Sequence, residues 1–254
     1  SVLYVNNLFY MYYTGAAPGF QGDGYSWQIE YAASSDGVNW NKQGIAFKAD
    51  SITWENGRVQ APSRPVCFNG KYYMFYTGGP RKPKNLIYTG YAISSDLIHW
   101  EKYPDIIPQN IDRANDIFIY EEDSTFYMFY TTYTQGEPVF FRMSKDLKNW
   151  SEPQATGAGG EGVVVWKEKD KYYMIGCLGY SGKGEAYHFY SSDCLKDFKY
   201  HGVLEMDVPS WASDAFGHGD IIRVGNEMWL YFQGTNNGGK TFKIGLAKIS
   251  LDSL

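Results

Sequence analysis

Residues 8–15 read LFYMYYTG, and the same word returns as KYYMFYTG at 71–78, TFYMFYTT at 125–132 and KYYMIGCL at 171–178. A fainter copy, EMWLYFQG, spans 227–234. Aligned on Met11, Met74, Met128, Met174 and Leu230, the copies stand 63, 54, 46 and 56 residues apart. A second word follows each copy: SSDGVNW, SSDLIHW, SKDLKNW, then the altered SSDCLKDF and KISLD. Trp40, Trp100, Trp150 and Phe198 therefore keep nearly the same period. Two words in phase over five units define a repeat protein.

Within a unit, turn residues separate short runs rich in aromatic and β-branched side chains, and helical periodicity is almost absent. The second unit shows four such runs: RPVCF, YYMFYTG, LIYTGYAIS and EKYPDII. Repeats of roughly 40–50 residues with four strands each are the signature of a β-propeller. The sequence thus predicts an all-β, five-bladed β-propeller of four-stranded antiparallel blades. It forms a single domain over residues 1–254, with blades near 1–58, 59–110, 111–156, 157–210 and 211–254. The fifth unit offers only GDIIRV, MWLYFQG and TFKIGLAKIS before the chain stops. The strand that closes the ring is then expected from before Ser1, so the N-terminal closing strand reads as missing.

The near-continuous apolar runs suit strands covered on both faces, which makes the recurring Tyr-Met-Phe/Tyr blade-to-blade packing. Asp36, Asp96, Asp146 and Asp193 are expected to cap turns through the backbone, with the following Trp filling space between blades. Cys67, Cys177 and Cys194 form no close pair; an odd count argues against a disulfide framework, and all three read as buried small apolar residues. The net charge of −5 and pI near 5.4 offer no basic face for nucleic acid or an anionic membrane. No run approaches the roughly 18 apolar residues of a membrane span. The 23 Tyr and 8 Trp suit flat-faced ligands such as sugar rings.

In a propeller the first strand of each blade lines the central channel, and its starting end is where side chains from all blades converge. Those starts carry Ser63 and Arg64 in APSRPVCF, Arg113 and Asp116 in RANDIFIY, Glu161 in GAGGEGVVV, and His218 and Asp220 in FGHGDIIRV. A carboxylate at the mouth of an apolar strand is costly unless paired or used. Glu161 lies between Gly160 and Gly162, small neighbours that would let a ligand approach closely, and burial would raise its pKa as a general acid requires. The same residue also reads as a surface Glu in a Gly-rich loop. Trp54, Trp211 and Phe216, on loops at blade starts, serve as a sugar platform or as packing. Arg64 and Arg113 bind sugar hydroxyls or form structural ion pairs, and Asp220 supports His218.

The DIF strand, the Glu-Gly strand leading to KYYM, the GHG opening and the repeated YYMFYTG…SSDLIHW resemble the five-bladed propeller glycosidases. These are glycoside hydrolase family 43 and its relatives in families 32 and 117. The resemblance covers essentially the whole chain, through motifs that several of these families share. It implies an Asp base on the first blade, a tuning Asp matched by Asp116, and a general acid matched by Glu161. His218 matches an axial His beside water or a calcium or sodium ion, held mainly through water. Counted 12 residues back from Met11, the base falls just upstream of Ser1.

The implied activity is glycoside hydrolysis of arabinose-, xylose-, galactose- or fructose-containing chains, with no required cofactor and carbohydrate as the partner. Family 43 resemblance implies inversion, with carboxyls about 6.5–9.5 Å apart, and family 32 resemblance retention, at about 5–5.5 Å. The rival readings are a non-catalytic carbohydrate-binding propeller and a protein-interaction scaffold. The substrate class favours a secreted or periplasmic protein, although no signal peptide stands in the given chain.

Overall fold

The first two strands of a repeat are joined by a tight hairpin whose tip residues dictate the turn. Asn6 and Asn7 both take positive φ (51° and 61°), as do Asn69 and Gly70 (50° and 74°) and Asp123 and Ser124 (49° and 55°). Two consecutive left-handed residues give a two-residue hairpin the twist of its strands, and Asn, Asp and Gly tolerate that conformation best.

A computed structural model describes residues 1–16, 27–50, 53–79, 87–105, 114–132, 138–180 and 183–250. The first sheet is β1 (Val2–Val5), β2 (Leu8–Ala16), β3 (Trp27–Ser34) and β4 (Asn41–Lys48), in that order. The second contains β5 (Val59–Gln60), β6 (Val66–Phe68), β7 (Lys71–Gly78), β8 (Tyr88–Ser94) and β9 (Glu101–Lys102), with β5 and β6 both pairing to β7. The third is β10 (Ala114–Glu122), β11 (Thr125–Thr132), β12 (Pro138–Ser144) and β13 (Gln154–Gly159). The fourth is β14 (Glu161–Glu168), β15 (Lys171–Tyr180), β16 (Lys183–Ser192) and β17 (Lys199–Val203). The fifth is β18 (Ala215–Val224), β19 (Glu227–Thr235) and β20 (Lys243–Ser250), three strands among the described residues. Every pairing described is antiparallel. No helix among the described residues is long and apolar enough to cross a membrane.

The chain divides into two compact units, residues 1–135 with 142–152 and residues 136–141 with 153–254; the division falls inside the third sheet. In the first unit Met11, Met74 and Met128 are 5%, 0% and 0% exposed; in the second, Met174 and Leu230 are 0% and 1%. The repeated word is therefore core, each such side chain contributing roughly 1.5–3 kcal/mol of burial. Within the first unit, Trp100 meets Tyr12 of the first sheet edge-on at 5.5 Å, and Trp150 meets Phe75 of the second at 5.8 Å. These tryptophans pack one sheet against the next.

Two expected boundaries shift. The first strand of the second sheet is split, because Pro62 and Pro65 cannot donate to the ladder and Ala61 between the pieces is left-handed (φ 50°). The third sheet runs on to Gly159, past the expected blade limit at 156.

Asp36, Asp96 and Asp146 cap their turns as expected. Each accepts the amides two and three residues on and a side-chain donor three residues on, Asn39, His99 or Asn149. Asp193 does not. In the fourth sheet Ser192 bonds to the amide of Cys194, as Ser34 does to that of Asp36, so Cys194 stands where the Asp belongs and Asp193 is exposed. That substitution also puts the Cys194 thiol at the surface. Cys67 is exposed too, and Cys177 alone of the three is buried.

At Asp146, burial pushes the carboxyl up, but the amides of Asn149 and Lys148 and the side chains of Asn149 and Ser144 outweigh it and leave the pKa at about 2. A depressed carboxylate stabilises the fold fully above its ordinary value of 3.8 and loses that contribution as pH falls through about 2. Acid unfolding of Asp146→Ala, followed by circular dichroism, is expected to show a smaller pH dependence below pH 4 than the parent.

Candidate active site

The first strands of the third, fourth and fifth sheets break register at the same place. Pairing slips between Asn115 and Phe118 on β10, between Glu161 and Val164 on β14, and between Gly217 and Asp220 on β18. The residue that opens each slip is left-handed: Asp116 (φ 51°), Gly162 (φ 55°) and His218 (φ 41°). A bulge of this kind bends the strand and re-aims a side chain, and Asp and His are among the few non-glycine residues enriched in that conformation. The structure thereby corrects the sequence register. Gly162 is the counterpart of Asp116 and His218, while Glu161 aligns with Asn115 and Gly217.

In the second unit Glu161 pairs across to Cys177 on β15, and Cys177 pairs to Tyr187 on β16. Glu185 lies two residues before Tyr187 on the same strand, so strand alternation puts all four side chains on one face of the sheet. His218 comes to that face from β18. Its Nε2 stands 3.7 Å from Glu161 Oε2, its Nδ1 stands 2.5 Å from Glu185 Oε1, and its amide donates to Cys177 Sγ at 3.0 Å.

The Glu161 side chain is 51% exposed and that of Glu185 only 3%. The expectation of a buried Glu161 is not met; its carboxyl is open to solvent. The flanking glycines also have a packing reason. Gly160 (φ 121°) lies so close to β15 that a Cβ would fall 2.9 Å from the carbonyl carbon of Gly176, and a Cβ on Gly162 would fall 3.0 Å from His218 Cδ2. They serve backbone approach and the His218 ring. The Tyr187 phenol is held well above its ordinary pKa by complete burial, then by Cys177, Glu185 and Asp220, and so stays protonated.

The other sequence candidates fall as follows. Phe216 is half-buried against Tyr187 (6.0 Å) and Phe232 (6.3 Å). Trp211 stacks on Phe232 at 5.7 Å and covers Gly234 and Gly245. In the first unit Trp54 stacks on Tyr76 at 5.9 Å, covers Gly78 and Gly90, and donates its indole N–H to the Pro104 carbonyl. Both tryptophans thus have a ring face committed to packing. Arg64 places its guanidinium 5.4 Å from the Phe118 ring centre, and Asp116 accepts a bond from Asn115 Nδ2 at 3.0 Å. Arg113 lies outside the described residues. Sequence reasoning missed Glu185, which stands beside His218; Asp220 is buried on β18.

The fold is shared with solved glycoside hydrolases. RS223-β-xylosidase superposes with a TM-score of 0.78 at 15% identity, over 98% of this chain and 90% of its own. The Cellvibrio cellulosa α-L-arabinanase complexed with arabinohexaose gives 0.74 at 17% identity over 98% and 90%. The Xanthomonas citri family 43 enzyme complexed with xylotriose gives 0.78 at 15% over 98% and 86%. The architecture is accordingly the five-bladed β-propeller of these enzymes.

By sequence, the chain belongs to the family described as glycosyl hydrolases family 32 N-terminal domain, which matches residues 1–163 and, in a second alignment, 52–213. The two alignments start 51 residues apart, about one repeat, so the family signature lies largely in the repeated blade itself. A 1,2-β-oligomannan phosphorylase from Thermoanaerobacter sp. (strain X514) is 25% identical over 190 residues, 69% of this chain and 62% of that protein. The levanbiose-producing levanase of Bacillus subtilis (strain 168) is 25% identical over 183 residues, 58% of this chain and 32% of the levanase. The chain thus matches less than two thirds of the length of either relative.

Proposed function

We propose that this chain is the catalytic domain of a glycosidase that cleaves fructose-, arabinose-, xylose- or galactose-type chains, with Glu161 as the general acid and Asp116 as the carboxylate that tunes it. One observation carries the reading. Glu161 heads β14 at a bulge, half exposed, with the His218 ring 3.7 Å from its carboxyl. A general acid must reach the leaving oxygen of a bound sugar, and a half-exposed carboxyl held by a rigid strand can do so. Asp116 occupies on β10 the bulge position that His218 occupies on β18. No cofactor is required for this chemistry; a calcium or sodium ion beside His218 would be held mainly through water.

The fold likeness to family 43 enzymes favours inversion, and membership of family 32 favours retention through a glycosyl-enzyme intermediate. The phosphorylase relative adds phosphate as a rival acceptor to water. The test is hydrolysis of fructan, arabinan, xylan and mannan oligosaccharides with and without phosphate, with the first-formed anomer read by NMR. Release of sugar in phosphate-free buffer is the expected result, and the anomer assigns the stereochemistry. Sugar binding without any turnover would sink the enzyme reading in favour of a binding propeller.

A further inference from the structure

We propose that Cys177, Glu185 and His218 Nδ1 form a binding site for a transition-metal dication such as zinc, on the side of the His218 ring turned away from Glu161. The inference stands apart from the glycosidase reading and does not use it.

The three side chains come from β15, β16 and β18, all within the second unit. One ligand atom of each lies within 4.8 Å of the other two, and Cys177 and Glu185 are both 3% exposed. Sulfur, imidazole nitrogen and carboxylate oxygen together select a borderline ion such as zinc or cobalt over calcium, which takes oxygens.

Glu185 points to a cation independently. Its Oε1 is buried, yet no hydrogen bond reaches it among the described residues. A buried carboxylate oxygen without a donor is costly and calls for a positive charge. His218 Nδ1 stands 2.5 Å away, but no hydrogen bond joins the two atoms. A cation bound by both meets the charge and accounts for the sulfur beside them.

Gly217 provides the room. A Cβ there would fall 2.6 Å from Glu185 Oε1 and 2.7 Å from Cys177 Sγ, so the missing side chain leaves a gap between oxygen and sulfur close to metal–ligand length. Ligand atoms on a tetrahedral ion stand roughly 3.3 Å apart. Oε1 and Nδ1 reach that separation by a movement of under about 1 Å, which rotation of the Glu185 carboxyl about its last, broadly populated torsion supplies. The amide of His218 donates to Cys177 Sγ at 3.0 Å, a bond that favours the thiolate a metal needs. The Tyr187 hydroxyl, on the strand paired to Cys177, is buried without a hydrogen-bond partner among the described residues. It would hold a water as the fourth ligand.

Cobalt(II) and zinc titrations of the full chain test this, with Cys67→Ser and Cys194→Ser removing the two exposed thiols. Cobalt is expected to give a thiolate charge-transfer band in the near ultraviolet and the strong visible bands of a tetrahedral ion. Zinc is expected to abolish both, and excess calcium to leave them. Cys177→Ser is expected to remove the charge-transfer band. Cys177→Ser and Glu185→Gln are each expected to weaken zinc binding more than about 100-fold, beyond the roughly 10–100-fold that loss of a group merely bonded to a ligand costs. Glu161→Gln is expected to leave zinc binding unchanged. If Cys177→Ser does not fold, X-ray absorption of the zinc-loaded chain with only Cys177 replaces it, and a sulfur at about 2.3 Å is expected. A cobalt spectrum without the charge-transfer band, a band that survives Cys177→Ser or yields to calcium, or a zinc shell without sulfur overturns the proposal. So does zinc binding that is lost in Glu161→Gln and kept in Glu185→Gln, which puts the ion on the Nε2 side.

Discussion

Glu161→Gln is expected to lower hydrolysis of unactivated oligosaccharides by about 10²–10⁴-fold, the usual contribution of a positioned general acid. Cleavage of aryl glycosides with strongly acidic phenols should change far less. An alkoxide is a poor leaving group and needs a proton in the transition state, whereas a nitrophenolate departs without one. Gln keeps the shape of the side chain, and Glu161 is half exposed, so the loss cannot be assigned to unfolding. Kinetics on a series of leaving groups check this: the slope of rate against leaving-group acidity should steepen in the variant. Equal losses on both substrate types would show that Glu161 binds or orients and does not protonate.

The second large effect is on stability. Glu55 is 3% exposed and accepts three bonds at 2.6 Å each, from the Tyr76 hydroxyl, Lys102 Nζ and the amide of Asp50. Its own carbonyl accepts from Gly79. These bonds pin the segment that carries Trp54 against the second sheet. Glu55→Leu leaves the buried Tyr76 hydroxyl without its acceptor and the half-buried Lys102 ammonium without its counter-charge, with only the Lys48 carbonyl at 2.9 Å, which costs about 3–5 kcal/mol. For a chain of this size that corresponds to a fall of roughly 10 °C in Tm. Thermal and urea unfolding check it, with Glu55→Leu combined with Lys102→Leu expected to recover part of the loss because no charge is then stranded. A change under about 1 kcal/mol in Glu55→Leu would show that the cluster is solvated.

The repeat was legible because core positions answer to one rule, alternation along a buried strand, and Met11, Met74, Met128, Met174 and Leu230 all obey it. The turn caps were legible for a similar reason: Asp36, Asp96 and Asp146 act on their own next three residues. Asp193 misled because a shift of one residue passes the role to Cys194. The site was less legible. Glu185 belongs with Glu161 only through two cross-strand pairings, Glu161 with Cys177 and Cys177 with Tyr187, and such pairings are not written in spacing. Glu55 likewise meets Lys102 from 47 residues away. Trp54 and Trp211 each lie against glycines on strands that follow them, Gly78 with Gly90 and Gly234 with Gly245, and spacing does not announce those contacts.

The left-handed residue at the head of β10, β14 and β18 separates two properties that a strand ordinarily couples. Downstream of it, Ile119, Val165 and Ile221 lock the register against Met128, Met174 and Leu230. The bulged residue itself stands outside that ladder, so its side chain can be a carboxylate in one sheet, a hydrogen in the next and an imidazole in the third while the packing behind it stays the same. Chemistry at Asp116 and His218 is thus exchangeable on a constant scaffold, and swaps among Asp, Asn, Gly and His there should alter activity without altering the fold, whereas Gly162 is fixed by the His218 ring, 3.0 Å from where its Cβ would stand.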